Sequence, residues 1–391
     1  MKPRKVLIFS LSYFPKLVGG AEVAVKEITD RISARDAEFD MITIGDGSSP
    51  KEEKIGNVRV HRIFSKPGRV QKLFYPFAAY WKARRMTNKT RCDLVWAVMG
   101  SYGGFAAFLL KRHNPRLPVL LTIQEGDNFA RREGIWSIPF GWIFKNPNRI
   151  QAISNYLSDW SRQMGATCPI DVIPNGADLQ LFSAEISPNV KEDLIKKCAK
   201  KPEDVFLITT SRLVEKNGVA DVISALPLLP KNVKFLVLGS GPLEQELKQL
   251  ALRLGLNYTD EPPLNPGNRV HFLGYIPHSE MPKYLAISEI FIRPSLTEGQ
   301  GASFIEAMAA GVPLIATAVG GIPDFLTDGQ TGLVCEVQNP HSIAQKVEKY
   351  MKDKESRDFI IKKARALAQE KYDWNAIAKD MAAEFEKTIT N

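Results

Sequence analysis

The sequence predicts an α/β protein built from two doubly wound parallel sheets, and three observations carry that prediction. Short Val/Ile/Leu/Phe runs recur along the chain, bounded by glycine or charge. Each is followed by a segment of helical periodicity, the alternation that a parallel sheet with crossover helices requires. The chain has 391 residues, more than one ordinary core accommodates, so two such sheets are expected.

In the first half, Lys5–Phe9, Phe39–Ile44, Leu94–Val98, Val119–Ile123 and Arg149–Ile153 read as strands. In the second, Phe206–Thr210, Lys234–Leu238, Val270–Phe272, Ile290–Arg293 and Pro313–Thr317 do. Their nearly unbroken apolar character suits strands covered on both faces. The turn formers of Ile173-Pro-Asn-Gly-Ala-Asp178 mark the boundary, giving Rossmann-like domains over 1–172 and 173–371. Tyr372-Asp-Trp374 and the helix after it follow a second domain that is already complete, and either cap it or return to the first.

Composition excludes several classes. An apolar fraction of 44% with 24% charged residues is that of a globular protein. The longest nearly apolar stretches, Gly134–Phe144 and the run around Leu117–Ile123, fall short of the ~20 residues of a membrane span. The opening Met1-Lys-Pro-Arg-Lys and Val6–Phe9 read as a first strand rather than a signal peptide, because the apolar run is short and no small-residue cleavage site follows. Cys92, Cys168, Cys198 and Cys335 have neither disulfide nor metal spacing, which fits a reducing cytoplasm. The five histidines (His61, His113, His271, His278, His341) show no ligand spacing either, and read as surface or packed residues.

Three glycine-bearing turns follow strands, where ligands of open parallel sheets bind. Gly19-Gly20-Ala-Glu22 opens a helix and offers its backbone to an anion; a plain tight turn is the equal alternative. Gly239-Ser-Gly241 is a second such turn. Pro294-Ser-Leu-Thr-Glu298-Gly-Gln-Gly-Ala-Ser-Phe-Ile-Glu306 is the most informative, with Gly299, Gly301, Ala302 and Ser303 at a helix start whose free amides face a ligand. Glu298 on the loop and Glu306 in the helix can accept hydrogen bonds from sugar hydroxyls. The alternatives are a helix cap and a solvated face, or a hydrolase acid/base pair. The dinucleotide fingerprint GxGxxG is absent here, which counts against an NAD enzyme.

Glu298-x7-Glu306 and the run EAMAAGVPLIATAVGG resemble the signature of the retaining glycosyltransferases of the GT-B fold, family 4. The resemblance spans essentially the whole chain, through Gly-Gly-Ala-Glu, Ala152-Ile-Ser-Asn155, Ile173-Pro-Asn-Gly176, Ser211-Arg-Leu-Val214, Phe272-Leu-Gly-Tyr275 and the terminal Tyr-Asp-Trp helix. It implies transfer of a sugar from a nucleotide diphosphate sugar, UDP- or GDP-linked, to an acceptor hydroxyl, without a metal or other cofactor. Glu298 then contacts the donor sugar, Glu306 the ribose, and Arg212 with Lys216 the diphosphate. The base lies against Gly274-Tyr275-Ile276, while the terminal helix, 372–391, crosses back to the first domain. Two departures stand out. Relatives read Arg-Leu-Val-x-x-Lys-Gly, where this chain has Asn217 in the lysine position and Lys216 one place early. Many also carry a first-domain histidine where this chain reads Gln124-Glu-Gly-Asp127, so Glu125 or Asp127, with Glu22, becomes the candidate contact for sugar or acceptor.

The net charge of +9 is uneven. Residues 1–175 hold 27 Lys/Arg against 15 Asp/Glu, and Ile55–Cys92 has ten basic residues with no acidic one. An anionic partner for the first half is expected. The segment from Arg69 to Arg85 mixes Phe74, Phe77, Tyr80 and Trp81 with cations. It reads either as an interfacial helix on anionic lipid or as a helix packed on its own sheet. Arg131-Arg132 and Trp136–Phe144 form a second such candidate. No nucleic-acid recognition motif accompanies the charge. A membrane surface suits a polyprenyl-linked or surface-polysaccharide glycan acceptor and a peripheral place at the cytoplasmic face. A nucleotide-sugar-binding partner subunit without turnover is the alternative of a different class; an epimerase of the same fold is a third.

Overall fold

The computed structural model describes residues 2–125, 137–260 and 264–390, so Asp127 and the Arg131-Arg132 pair lie outside the described residues. The chain divides into two compact units, Met1–Gly176 with Trp374–Asn391, and Ala177–Asp373.

The first unit runs β1 (Arg4–Phe9), α1 (Gly20–Arg31), β2 (Ala37–Ile44), β3 (Glu52–Ile55), β4 (Val58–Ile63), α2 (Arg69–Thr87), β5 (Leu94–Val98), α3 (Gly104–His113), β6 (Val119–Ile123), α4 (Ser137–Lys145), β7 (Arg149–Ala152), α5 (Asn155–Gln163) and β8 (Ile170–Val172). Its eight strands are ordered β3-β4-β2-β1-β5-β6-β7-β8. All neighbours are parallel except β3, which pairs antiparallel with β4. The apolar runs are buried as expected: β5 and β6 have no exposed position.

The second unit runs α6 (Leu179–Ser183), α7 (Pro188–Lys197), β9 (Val205–Thr210), α8 (Val219–Ala225), β10 (Val233–Leu238), α9 (Glu244–Arg253), β11 (Tyr258–Asp260), β12 (Val270–Gly274), α10 (Met281–Leu285), β13 (Ile290–Arg293), α11 (Ala302–Ala310), β14 (Leu314–Thr317), β15 (Leu333–Cys335), α12 (Pro340–Lys352) and α13 (Lys354–Lys371). Its seven strands, in the order β11-β12-β10-β9-β13-β14-β15, are all parallel.

Every strand expected from the sequence forms, within two residues at each end. Five others were not expected. β8, β11 and β15 have three residues each, too few to show a period. β3 and β4 carry Glu52, Glu53, Arg59, His61 and Arg62. Arg59 faces solvent, while His61 and Arg62 are buried but paired, with Glu52 and Asp40 and with the Pro50 and Phe14 carbonyls, so this pair of strands needs no continuous apolar run.

The last helix, α14 (Trp374–Thr390), belongs to the first unit. Trp374, Ile377, Met381 and Phe385 join Val6, Ile8 and Trp96 in one core layer with α1. Charge fixes its angle: Arg149 Nε donates to Glu384 Oε1 at 2.7 Å, and the same guanidinium pairs with Asp171. Glu384 is fully buried and its other oxygen lies 3.3 Å from Lys387 Nζ, so losing Arg149 would leave a core carboxylate with only that partly exposed cation, a cost of ~1–3 kcal/mol.

Candidate functional site

In the second unit the strand order reverses at β9: β10 lies on one side and β13 on the other. Ligands of doubly wound sheets bind where the loops leaving such a pair of strands diverge. The loops that leave the adjacent strands β9 and β13 are Ser211–Gly218, with Arg212 and Lys216, and Pro294–Gly301, with Glu298; Glu306 follows on α11.

The loops are stitched together. Leu296 N–H donates to the Lys216 carbonyl at 2.7 Å. Gly218 has φ +67°, and a Cβ there would sit 2.0 Å from the Pro294 carbonyl oxygen, so only glycine lets the loops meet. Asn217 is buried, and its Nδ2 donates to the Arg212 carbonyl at 2.6 Å. The residue in the family's lysine position is therefore part of the loop's internal frame. Lys216 is half-buried beside it and Arg212 is exposed.

On the facing loop, Glu298 Oε2 accepts from Arg293 Nη2 at 2.7 Å and Oε1 from Gly299 N–H at 3.0 Å. The Glu298 carbonyl accepts from Gly321 N–H at 3.0 Å. Gly320 (φ +56°) makes that possible, since a Cβ there would lie 2.0 Å from the same oxygen. Gly301 caps the start of α11 in the left-handed region, followed by Ala302 and Ser303. Glu306 is buried on α11, one turn further on. Burial pushes the Arg293 guanidinium below its ordinary range, opposed by the charges of Glu298 and Glu306.

The third loop leaves β12 at Gly274 (φ +62°), which has open space where a Cβ would be. The Gly274 carbonyl accepts from Gly239 N–H at 2.7 Å, joining the two glycine turns. Tyr275 is 78% exposed, while Ile276 packs on the core. Two residues beyond, His278 Nε2 lies 2.9 Å from Glu306 Oε1, with its ring edge-on to Phe182. His278 is thus a neighbour of the second glutamate; no spacing signal reveals it, because the partners are 28 positions apart. Arg293 carries no sequence signal beyond its place at the end of β13.

The remaining candidates sit in the first unit. Glu22 Oε2 accepts from Gly19 N–H at 2.7 Å, and burial raises its carboxyl above the ordinary range. Nothing lies within 4 Å of a Cβ built on Gly20, so the protein's own packing does not require glycine there. Glu125 is buried and accepts from Gly100 N–H at 2.6 Å and Gln124 N–H at 3.1 Å, fixing the turn after β5. Among the described residues no group of three or more His, Cys, Asp and Glu is placed to hold a metal ion.

Two Rossmann-like parallel-sheet units define the GT-B fold, the architecture of solved neighbours that match over nearly the whole chain. The chain belongs to the group 1 glycosyltransferases, glycosyltransferase family 4. The family described as "Glycosyl transferases group 1" matches residues 190–367, and "Glycosyltransferase Family 4" matches 18–181. It is 25% identical to an uncharacterised glycosyltransferase of Methanocaldococcus jannaschii, over 96% of each chain. It is 27% identical to a GDP-mannose-dependent α-(1-6)-phosphatidylinositol monomannoside mannosyltransferase of Mycobacterium tuberculosis, over 59% of each. HepE of Anabaena, solved in complex with UDP, superposes with a TM-score of 0.80 at 20% identity, over 98% of this chain and 100% of that one.

Proposed function

We propose that the protein is a retaining glycosyltransferase that moves a sugar from a UDP- or GDP-sugar to a hydroxyl of a lipid-linked or surface-polysaccharide glycan. The observation that carries this reading is the stitching of the Arg212–Lys216 loop to the Glu298 loop at the switch point of the second sheet, through Leu296 and Gly218. That contact brings two cations and two carboxylates to one strand edge. UDP in HepE and GDP-mannose in the mycobacterial relative support the class of donor.

In this reading Glu306 holds the ribose, Glu298 the sugar, and Gly274-Tyr275-Ile276 the base. Gly299, Gly301, Ala302 and Ser303 present backbone amides, and Gly19 and Gly20 are the first unit's own candidates for an anion. Departure of the nucleoside diphosphate places negative charge on phosphate oxygens. Arg212 and Lys216 stabilise that charge in place of a metal ion, each worth ~10²–10³ in rate by analogy with a lost oxyanion donor. Retention follows from front-face attack by the acceptor hydroxyl, without an enzyme-bound intermediate. Glu22, Glu125 and Asp127 are the acceptor-side candidates.

The acceptor side also presents an apolar surface. On α2, Val70, Leu73, Phe74, Phe77 and Trp81 are all exposed, at the spacing of one helix face. Tyr75, Ala79 and Ala83 face the core instead. A helix that only covered its sheet would turn the aromatics inward and the cations outward. Here Arg69, Lys72 and Arg85 flank an exposed aromatic stripe. Phe77 continues it through Phe105 and Phe108 to Trp142. Rings at headgroup depth and cations on anionic lipid suit a peripheral position at a membrane surface; no helix among the described residues is long and apolar enough to cross one.

Calorimetric titration of UDP, GDP and ADP against wild type and Glu306→Ala tests the donor site. Binding of one nucleotide that weakens at least tenfold in the variant supports it. Binding without turnover of any donor points to the partner-subunit alternative. No binding of any of the three overturns the donor site.

A further inference from the structure

Arg293 is a buried cation at the root of the Glu298 loop, and its surroundings are built to hold it still. It ends β13 with 6% of its surface exposed. Nη2 reaches Glu298 Oε2 at 2.7 Å, Nη1 reaches Ser303 Oγ at 2.8 Å, and the guanidinium lies 4.1 Å from the Phe304 ring centroid. Gly301 lets the loop wrap over this group: its φ is +88°, and a Cβ there would come within 2.5 Å of Nη2. The other Glu298 oxygen is taken by Gly299 N–H.

We propose that Arg293 is a positioning residue for the donor sugar: it fixes the Glu298 carboxylate, through a fork anchored on Ser303 and Phe304, in the orientation in which the remaining lone pairs accept the sugar hydroxyls. The proposal rests on the donor-site reading above. A glutamate on a loop would otherwise lose side-chain freedom when the sugar binds, and restraint in advance removes that cost. Two carboxylates serving one ligand also repel each other, and the Arg293 charge, which both of them feel, offsets the repulsion. The planar fork serves two acceptors at once, which the single ammonium of lysine does not reproduce. With both oxygens already bonded, Glu298 acts as a fixed acceptor rather than as a nucleophile or base.

The test compares affinities for UDP, UDP-glucose, GDP and GDP-mannose in wild type, Arg293→Met, Arg293→Lys, Ser303→Ala, Glu298→Gln and the Arg293→Met/Glu298→Gln double variant. Arg293→Met is expected to weaken whichever nucleotide sugar binds by about tenfold, the worth of a hydrogen bond to a charged group, and to leave the parent nucleotide within about twofold. Glu298→Gln should lose the same factor and the double variant no more, since both changes remove one restraint. Arg293→Lys should recover only part of the loss, and Ser303→Ala should fall between. These last two carry the test if Arg293→Met fails to fold. Equal losses for nucleotide and nucleotide sugar would mean that Arg293 only supports the fold, and unchanged sugar affinity would remove its role. A wild type that binds none of the four compounds overturns the donor site itself, and the Arg293 assignment with it.

Discussion

His278 Nε2 lies 2.9 Å from Glu306 Oε1, so a neighbour 28 positions away in the sequence holds the carboxylate of the second glutamate of the family signature. If that contact supports ribose binding, His278→Phe should weaken nucleotide binding about three- to tenfold, less than Glu306→Ala. The edge-on contact with Phe182 would survive the change. Tighter binding by His278→Phe in the same titration would show instead that the imidazole competes with the ribose.

Gly320 and Gly329 offer a matched pair. Both have positive φ, +56° and +71°, but a Cβ on Gly320 meets the Glu298 carbonyl at 2.0 Å while one on Gly329 meets nothing. Gly329→Ala should cost about 1 kcal/mol from backbone strain alone. Gly320→Ala should cost about 3 kcal/mol or more and abolish nucleotide-sugar binding, because the Glu298 backbone must move. Denaturant melts of both variants, with and without UDP-glucose, check this.

His271 on β12 is 1% exposed, and burial, aided by the Lys234 charge, pushes its imidazole down to about 4. The unfolded chain therefore binds the proton first, between the ordinary histidine range and pH 4. Stability contributed by the neutral ring is complete above about pH 6.5 and is lost as the pH falls through that window, up to ~3 kcal/mol. His271→Leu should flatten the melting temperature between pH 4.5 and 7 relative to wild type. An unchanged slope would assign the acid sensitivity to other groups.

The α2 stripe predicts lipid binding that depends on both rings and charge. Wild type should sediment with phosphatidylglycerol vesicles at low salt, much less with phosphatidylcholine, and progressively less as salt rises. Leu73→Glu with Phe74→Glu should lower recovery about tenfold with no change in melting temperature, since both side chains are exposed. No recovery of wild type on anionic vesicles at any ionic strength removes the membrane surface as a partner.

How legible each part was depended on whether local pattern encoded it. Buried parallel strands such as Leu94-Val-Trp-Ala-Val98 announce themselves, because both faces must be apolar. The edge hairpin of β3 and β4 and the three-residue strands did not, since tertiary pairing rather than period defines them. In the site, Glu298 and Glu306 were readable from one contiguous motif. Arg293 looked like the polar end of a strand, and His278 joined Glu306 only through the fold. Asn217 could be seen as a departure from the family, but its hydrogen bond to the Arg212 carbonyl could not. The exposed aromatics of α2 were the reverse case: composition raised the question, and helical phase against the core shows which rings are exposed.

The return of α14 to the first unit has a consequence during synthesis. Residues 1–176 emerge from the ribosome with one face of their sheet, around Val6, Ile8 and Trp96, still waiting for Trp374, Ile377, Met381 and Phe385. The whole of Ala177–Asp373 must be translated first, roughly 10–40 s at typical elongation rates. The second unit is therefore the first that can complete its core on the nascent chain, and the first unit is the one that a holding chaperone would meet.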